Sequence, residues 1–122
     1  MPKALIIEDT PDNMELIRFI LNKNGVETIG AENGRKGIAL AESELPDFII
    51  LDIQLPDING TEVLQAIRRS KADGKVPIIA MTSYAMSGDR EKLLAAGCNG
   101  YIEKPIDPVM VMEQIREILM NP

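Results

Sequence analysis

Short apolar runs that each end on a polar residue constrain the fold of this chain more than any other feature. Four of these runs end on Glu8-Asp9, Asp52, Thr82 and Lys104. Helical patterns separate the runs, and such alternation of strands and helices is typical of a parallel sheet with crossover helices. Ligands bind at the carboxyl ends of parallel strands. We therefore expect these polar side chains to meet at one edge of a sheet.

Apolar periodicity and turn residues predict five strands and five helices. The predicted strands cover residues 3–8, 26–30, 47–52, 76–82 and 100–103. The predicted helices run from Pro11 to before Gly25, from Asn33 to about Ser43, over 61–72 and 87–96, and onward from the cap at Asp107-Pro108, with Asp73-Gly74 ending the third. Right-handed crossovers place helices on both faces. The fold class predicted is α/β, a doubly wound five-stranded parallel sheet in the flavodoxin-like order 2-1-3-4-5.

Length and composition bound the possible classes of protein. A chain of 122 residues predicts one domain over residues 1–122, without an output domain. No apolar run approaches the roughly 20 residues of a membrane span, and the first residues do not resemble a signal peptide. The single cysteine, Cys98, fits a reducing compartment. We expect a cytoplasmic protein that does not enter a membrane.

Charge and residue usage exclude several functions. The net charge of −6 argues against nucleic-acid binding, because phosphate contacts need a basic surface. The chain has no histidine, which excludes a Ser-His-Asp triad and a histidine-ligated zinc. Any partner is therefore expected to be a protein.

The polar strand ends together suit phosphoryl chemistry. In the order 2-1-3-4-5 the first and third strands are neighbours, which would bring Glu8, Asp9 and Asp52 together. Two unit charges about 4 Å apart repel by on the order of 4 kcal/mol at an effective dielectric of about 20. A cation or a bound proton relieves such repulsion. Mg²⁺ suits these oxygen ligands, with Mn²⁺ as the alternative. An aspartate can accept a phosphoryl group, and Thr82 and Lys104 could hold its oxygens.

Each of these residues also has an ordinary structural explanation when it is taken alone. Glu8 and Asp9 could be loop acids, Asp52 a helix cap, Thr82 an end-of-strand hydroxyl and Lys104 a solvated charge. Their joint placement on successive strand ends favours a site. In the loop after Asp52, Asp57 is interpreted as a turn residue and Gly60 as a requirement of backbone geometry.

Motifs along the whole chain resemble those of response regulator receiver domains. The stretches that carry the resemblance are Ala4–Asp9, Leu51–Gly60, Met81-Thr82-Ser83 and Glu103-Lys104-Pro105. The residues around Asn13-Met14 and residues 85–89 further resemble DivK-type single-domain regulators and the receivers of hybrid kinases.

The resemblance implies a role for each site residue. Asp52 would accept the phosphoryl group from a phosphohistidine on a histidine kinase or a histidine phosphotransfer protein. Asp9, Asp52 and the backbone carbonyl of Gln54 would bind Mg²⁺, with Glu8 acting through a metal-bound water. The phosphoryl group would be contacted by Thr82, Ser83 and Lys104, and the Lys104-Pro105 peptide bond would be cis.

The resemblance also implies how a signal would leave the site. Thr82 and Tyr101 would form a switch that changes the face made by the fourth helix, the fifth strand and the fifth helix. That face, with Tyr84, Tyr101, Ile106 and residues 108–119, would contact a downstream protein target. Gln54 and Tyr84 occupy positions that tune dephosphorylation. The protein would be a monomer or a weak, phosphorylation-dependent dimer.

Three other functions compete with the switch. A phosphate shuttle or sink in a multistep phosphorelay would use the same site without a contact change. A phosphatase of the haloacid dehalogenase type would need a second aspartate two residues after the nucleophile, where this chain has Gln54. A receiver-like protein that works without phosphate would not need the complete set of site residues that this chain has. We therefore expect a phosphoacceptor module rather than an enzyme.

Overall fold

The structure is a computed structural model that describes residues 2–70, 75–83 and 87–120. Its strands are β1 (Lys3–Ile7), β2 (Glu27–Ala31), β3 (Phe48–Asp52), β4 (Ile78–Thr82) and β5 (Gly100–Glu103). Its helices are α1 (Pro11–Lys23), α2 (Gly34–Glu44), α3 (Gly60–Arg69), α4 (Ser87–Ala96) and α5 (Val111–Met120). Strands and helices alternate, as predicted.

The strands form one parallel sheet in the order β2-β1-β3-β4-β5. This order confirms the predicted fold class. Strand order reverses between β1 and β3, which pair in the register Ala4↔Phe48 through Ile7↔Leu51. That register places the residues that follow Ile7 beside the end of β3.

The sheet is buried on both faces, because helices cover each of them. Every residue of β3 and β4 is buried, as the continuous apolar runs of central parallel strands require. On one face, α2, α3 and α4 pack on the sheet through Ala41, Val63, Leu64, Ile67 and Leu93. On the other face, α1 and α5 pack through Ile17, Ile20, Leu21, Val111 and Ile115. This double cover holds the strand ends in fixed positions.

Three strands, β2, β3 and β4, begin later than predicted, and for β2 and β4 the backbone hydrogen bonds explain why. β4 begins at Ile78 because Pro77 has no N–H to donate to the ladder, although its carbonyl accepts a hydrogen bond from Ile49 N at 2.9 Å. β2 begins at Glu27 because the N–H of Val26 donates to Leu21 O at 3.0 Å and so completes the end of α1.

The predicted end of the third helix at residue 72 is wrong. α3 ends at Arg69, and Ser70 already has extended backbone angles, φ −67° and ψ 134°. Serine is a poor helix-interior residue because its hydroxyl offers the backbone other hydrogen bonds. Asp73-Gly74, interpreted as the stop signal, lies outside the described residues.

None of the helices in the described part of the chain combines the length and the apolar character that a membrane crossing requires.

Candidate functional site

Neighbouring strands bring Glu8 and Asp52 together. Glu8 follows Ile7 at the end of β1, and its N–H still donates to Ala31 O of β2 at 2.9 Å. Asp52 is the last residue of β3, beside Met81 of β4. The two residues are 2% and 3% exposed, whereas Asp9 is exposed to solvent. Two acids are thus buried at the carboxyl edge of the sheet, with a third at its rim.

Carboxylate oxygens of Glu8, Asp9 and Asp52 lie within 4.8 Å of one another. Three hard oxygen donors at this separation fit a divalent cation such as Mg²⁺. No softer donor competes for the metal, because the chain has no histidine and its one cysteine, Cys98, belongs to the apolar cluster under α2, α3 and α4. The cluster could therefore bind Mg²⁺.

Lys104 neutralises part of this negative charge. Its Nζ lies 3.1 Å from Asp52 Oδ2 and 3.3 Å from Glu8 Oε2, and the Lys104 side chain is only 13% exposed. The lysine follows β5, where its backbone N–H donates to Thr82 O at 2.9 Å. The next peptide bond, Lys104-Pro105, is cis. The ends of β1 and β3 thus meet at the Lys104 ammonium, and the end of β4 contacts the Lys104 backbone.

Burial raises the pKa of Glu8 from 4.5 to about 6. Loss of water around the carboxylate is the largest cause, and contact with the Asp52 carboxylate raises the pKa further. The Asn13 amide and the Lys104 ammonium act in the opposite direction. Asn13 Nδ2 donates to Glu8 Oε1 at 3.0 Å. Glu8 therefore holds a proton more easily than an ordinary glutamate.

The backbone after β3 turns back over Asp52. The N–H of Gln54 donates to Asp52 Oδ1 at 3.0 Å, while the N–H of Ile53 donates to Met81 O at 3.1 Å. One carboxylate oxygen of Asp52 thus accepts a backbone hydrogen bond, and the other faces Lys104. The Gln54 side chain is exposed at the mouth of the site.

The remaining predicted site residues lie on β4 and β5. Thr82 ends β4 and is buried, with 4% of its surface exposed, and Ser83 follows it in an exposed position. Tyr101 is half-buried on β5, and its ring packs against the apolar cluster under α2, α3 and α4. Tyr84, predicted to tune dephosphorylation and to line the contact face, lies outside the described residues.

Two side chains near the site make hydrogen bonds that the sequence pattern did not predict. Asn13 donates to Glu8 from the first turn of α1, five residues along the chain. Asp57, interpreted as a turn residue, accepts hydrogen bonds from the backbone of Gly34 and Arg35 at the start of α2. An asparagine one turn after an acidic strand end could have suggested the first contact. No local signal could have suggested the second, which joins residues more than twenty positions apart.

Comparison with known sequences gives one consistent family. The family model described as response regulator receiver domain matches residues 4–116. A polar-differentiation response regulator DivK from Brucella anthropi is 40% identical over 120 residues, which cover 98% of each chain. The DivK of Brucella ovis is 38% identical over 116 residues, covering 95% of this chain and 94% of its own.

Solved structures agree with this result. The chemotaxis response regulator CheY4 of Vibrio cholerae superposes with a TM-score of 0.92 at 25% identity, covering 97% of this chain and 98% of its own. The receiver domain of the sensor histidine kinase PA1611 from Pseudomonas aeruginosa superposes with a TM-score of 0.88 at 31% identity and covers 98% of each chain. That structure contains a magnesium ion coordinated in its active-site cleft.

Proposed function

The chain belongs to the response regulator receiver family, and from this premise we propose that Asp52 accepts a phosphoryl group from a phosphohistidine of a cytoplasmic histidine kinase or histidine phosphotransfer protein. Receiver domains are signalling modules of two-component systems rather than classical enzymes.

The ion pair between Lys104 and Asp52 is the observation that carries this proposal. A buried lysine is costly unless it is paired, and here its ammonium lies within 3.4 Å of both Glu8 and Asp52. A phosphoryl group on Asp52 would bring further negative charge to the same place. The ammonium would then pair with a phosphoryl oxygen as a compact point charge.

The phosphoryl transfer requires little covalent chemistry from the protein. A carboxylate oxygen of Asp52 forms a bond to phosphorus, and the bond from phosphorus to the donor's imidazole nitrogen breaks, with its electron pair returning to the imidazole. Thr82, Ser83 and Lys104 would contact the phosphoryl oxygens. Asp9, Asp52 and the Gln54 carbonyl would bind Mg²⁺ directly, with Mn²⁺ as the alternative and Glu8 acting through a bound water. The metal would neutralise the charge on the transferring group.

A groove beside the site supports a protein donor. It has a volume of about 550 Å³, extends from Glu8 and Asp9 along α1, and includes Phe19, which is 64% exposed. An exposed aromatic ring in a groove that begins at Glu8 and Asp9 could anchor the donor. Phe19→Ala should slow phosphorylation by a protein donor and leave phosphorylation by acetyl phosphate unchanged. Equal slowing with both donors would contradict this placement.

The output of the protein would be a change of protein contacts. Phosphate on Asp52 would attract the Thr82 hydroxyl, and Tyr101 would turn into the space that opens. The face of α4, β5 and α5, including Ile106, would then repack and alter its affinity for a downstream protein. The net charge of −6 favours a protein target over nucleic acid.

Labelling with acetyl phosphate and Mg²⁺ tests the phosphoacceptor. Wild-type protein should gain the mass of one phosphate as an acid-type acyl phosphate, and Asp52→Asn should gain none. Labelling of Asp52→Asn at the wild-type rate would overturn the assignment. Phosphorylation that leaves the α4-β5-α5 face unchanged would favour the alternative function, a phosphate shuttle or sink.

A further inference from the structure

The first backbone N–H groups of α2 are satisfied by two different side chains. Asn33, the residue before the helix, accepts a hydrogen bond from Lys36 N through its Oδ1 at 2.8 Å. The carboxylate of Asp57 accepts the other two, from Gly34 N to Oδ1 at 2.8 Å and from Arg35 N to Oδ2 at 3.0 Å. Helices usually cap these donors with a residue adjacent in sequence. Here a loop 22 or more residues further along the chain supplies most of the cap.

The loop that carries Asp57 begins immediately after the phosphoacceptor. At its near end, the N–H of Gln54 donates a hydrogen bond to Asp52 Oδ1 at 3.0 Å. At its far end, the N–H of Gly60 donates to Ile53 O at 3.1 Å. The Asn59 side chain also holds the far end, because its Oδ1 caps α3 by accepting from Thr61 N at 2.9 Å. Between these fixed ends, the Asp57 carboxylate accepts the hydrogen bonds that attach the loop to α2.

Packing and charge both favour this attachment. Gly34 lies so close to Ile58 that a Cβ on Gly34 would be 2.5 Å from Ile58 Cγ1, so the loop and the helix start are in direct contact. The positive end of the α2 dipole favours an anion at this position, and Arg35 Nε lies 4.0 Å from Asp57 Oδ2. The hydrogen bonds from Arg35 and Gly34 hold the pKa of Asp57 below its usual value.

We propose that Asp57 is a positioning residue for the phosphoacceptor site, which fixes residues 53–59 against the start of α2 and so holds the backbone of Gln54 in place over Asp52. The inference rests on the proposed function, because the Gln54 carbonyl is there a metal ligand. Second-layer groups that orient a ligand affect metal affinity strongly although they never touch the metal.

The position of α2 in the sheet explains why such an anchor is needed. α2 follows β2, whereas the loop follows β3, and β1 with its two acids lies between these strands. The contact of Asp57 with Gly34 and Arg35 therefore joins two loops on either side of the acidic end of β1. Without it, the loop would keep its two fixed ends and the apolar packing of Leu55 and Ile58, but no hydrogen bond from Asp57 to α2.

A matched pair of variants separates positioning from simple helix capping. Asp57→Ala and Asn33→Ala each remove a cap from the same end of α2, but the Asn33 bond stays within the first helical turn. Mg²⁺ affinity is measured by calorimetric titration of the metal-free protein, and the rate of labelling by acetyl phosphate is measured alongside it. Asp57→Ala should weaken Mg²⁺ binding about tenfold, whereas Asn33→Ala should leave it within about twofold of wild type. Asp57→Asn retains one acceptor oxygen and should fall between.

Amide exchange provides a readout that a purely stabilising role would not change. In Asp57→Ala, exchange at the backbone amides of residues 54–58, of which Pro56 has none, should accelerate selectively, while exchange in the core of β3 keeps its wild-type rate. Equal Mg²⁺ affinity in the two alanine variants, or equal exchange at residues 54–58, would overturn the positioning role. If Asp57→Ala does not fold, the same comparison of Mg²⁺ affinity and amide exchange is made between Asp57→Asn and Asn33→Ala. Wild-type protein that binds no Mg²⁺ and takes no label would overturn the proposed function and this inference together.

Discussion

Lys104 Nζ lies 3.1 Å from Asp52 Oδ2 in a site where both side chains are largely withdrawn from water. Removing one partner of a buried ion pair leaves the other charge uncompensated, which costs about 3 kcal/mol or more. Lys104→Met should therefore destabilise the metal-free protein by roughly that amount in urea unfolding. Phosphorylation of Asp52 should be lost, and Mg²⁺ affinity should stay the same or rise, because a repelling cation has gone.

Lys36→Met provides the control for that prediction. Lys36 pairs with Glu32 at 3.5 Å, but both side chains are about half or more exposed, at 48% and 69%. The change in unfolding free energy should stay within about 0.5 kcal/mol. Equal losses in the two lysine variants would show that burial of the Lys104 pair has no energetic importance.

The raised pKa of Glu8 predicts a pH dependence of stability. Its pKa is about 6 in the fold and 4.5 ordinarily, so the folded protein binds the proton more tightly than the unfolded chain. This contribution is fully present below pH 4.5 and is lost as pH rises through 6. It should amount to roughly 2 kcal/mol. In metal-free unfolding experiments, Glu8→Gln should remove this part of the pH dependence, and a wild-type pH profile in Glu8→Gln would contradict it.

The acidic cluster predicts that Mg²⁺ stabilises the protein and that Asp9 controls the effect. Adding Mg²⁺ should raise the melting temperature of wild type, because the metal binds only the folded state. Asp9→Asn should abolish this response and raise the metal-free melting temperature, since one repelling charge is removed. Asp12→Asn, on the exposed first turn of α1, should keep the wild-type metal response. A normal response in Asp9→Asn would contradict the metal site.

The loop after Asp52 leaves no room for a side chain at Gly60. A Cβ at this position would lie 2.5 Å from Ile53 Cα and 2.7 Å from Ile53 O. Backbone atoms cannot move aside easily, so Gly60→Ala should cost about 3 kcal/mol of stability. Gly25→Ala, at φ +80° with no atom within 4 Å, should cost only about 1 kcal/mol through its backbone conformation. Thermal unfolding of the two variants should show this difference, and similar losses would refute it.

We expect Tyr101 to carry the phosphorylation signal from the site to the surface. On phosphorylation of wild type, chemical-shift changes should concentrate at the residues after Thr82, at Tyr101 and along α5. Tyr101→Ala should weaken discrimination between the two phosphorylation states by a partner more than it slows phosphorylation. Shift changes confined to the surroundings of Asp52 would favour the shuttle over the switch.

The sequence by itself determined the strands, their polar ends and therefore the fold class. Hydrophobic periodicity is a local property, and the right-handed crossover rule converts it into a sheet order with few alternatives. Because β1 and β3 must then be neighbours, the sequence also placed Glu8 and Asp52 at one edge, and the register Ile7↔Leu51 confirms that arrangement. The parts of the site that depend on strand order were thus predictable from residues alone.

Only the tertiary structure decided the contacts between side chains that are distant in sequence. The pair of Lys104 with Glu8 joins residues 96 positions apart, and the raised pKa of Glu8 follows from burial that no local pattern records. The same holds for Asp57, whose turn-like sequence surroundings gave no sign that its carboxylate caps α2. Local sequence determines which backbone conformation each segment adopts. Packing of the helices on the sheet determines which polar groups lose their water. Once buried, these groups cost free energy unless a hydrogen-bond or charged partner compensates them.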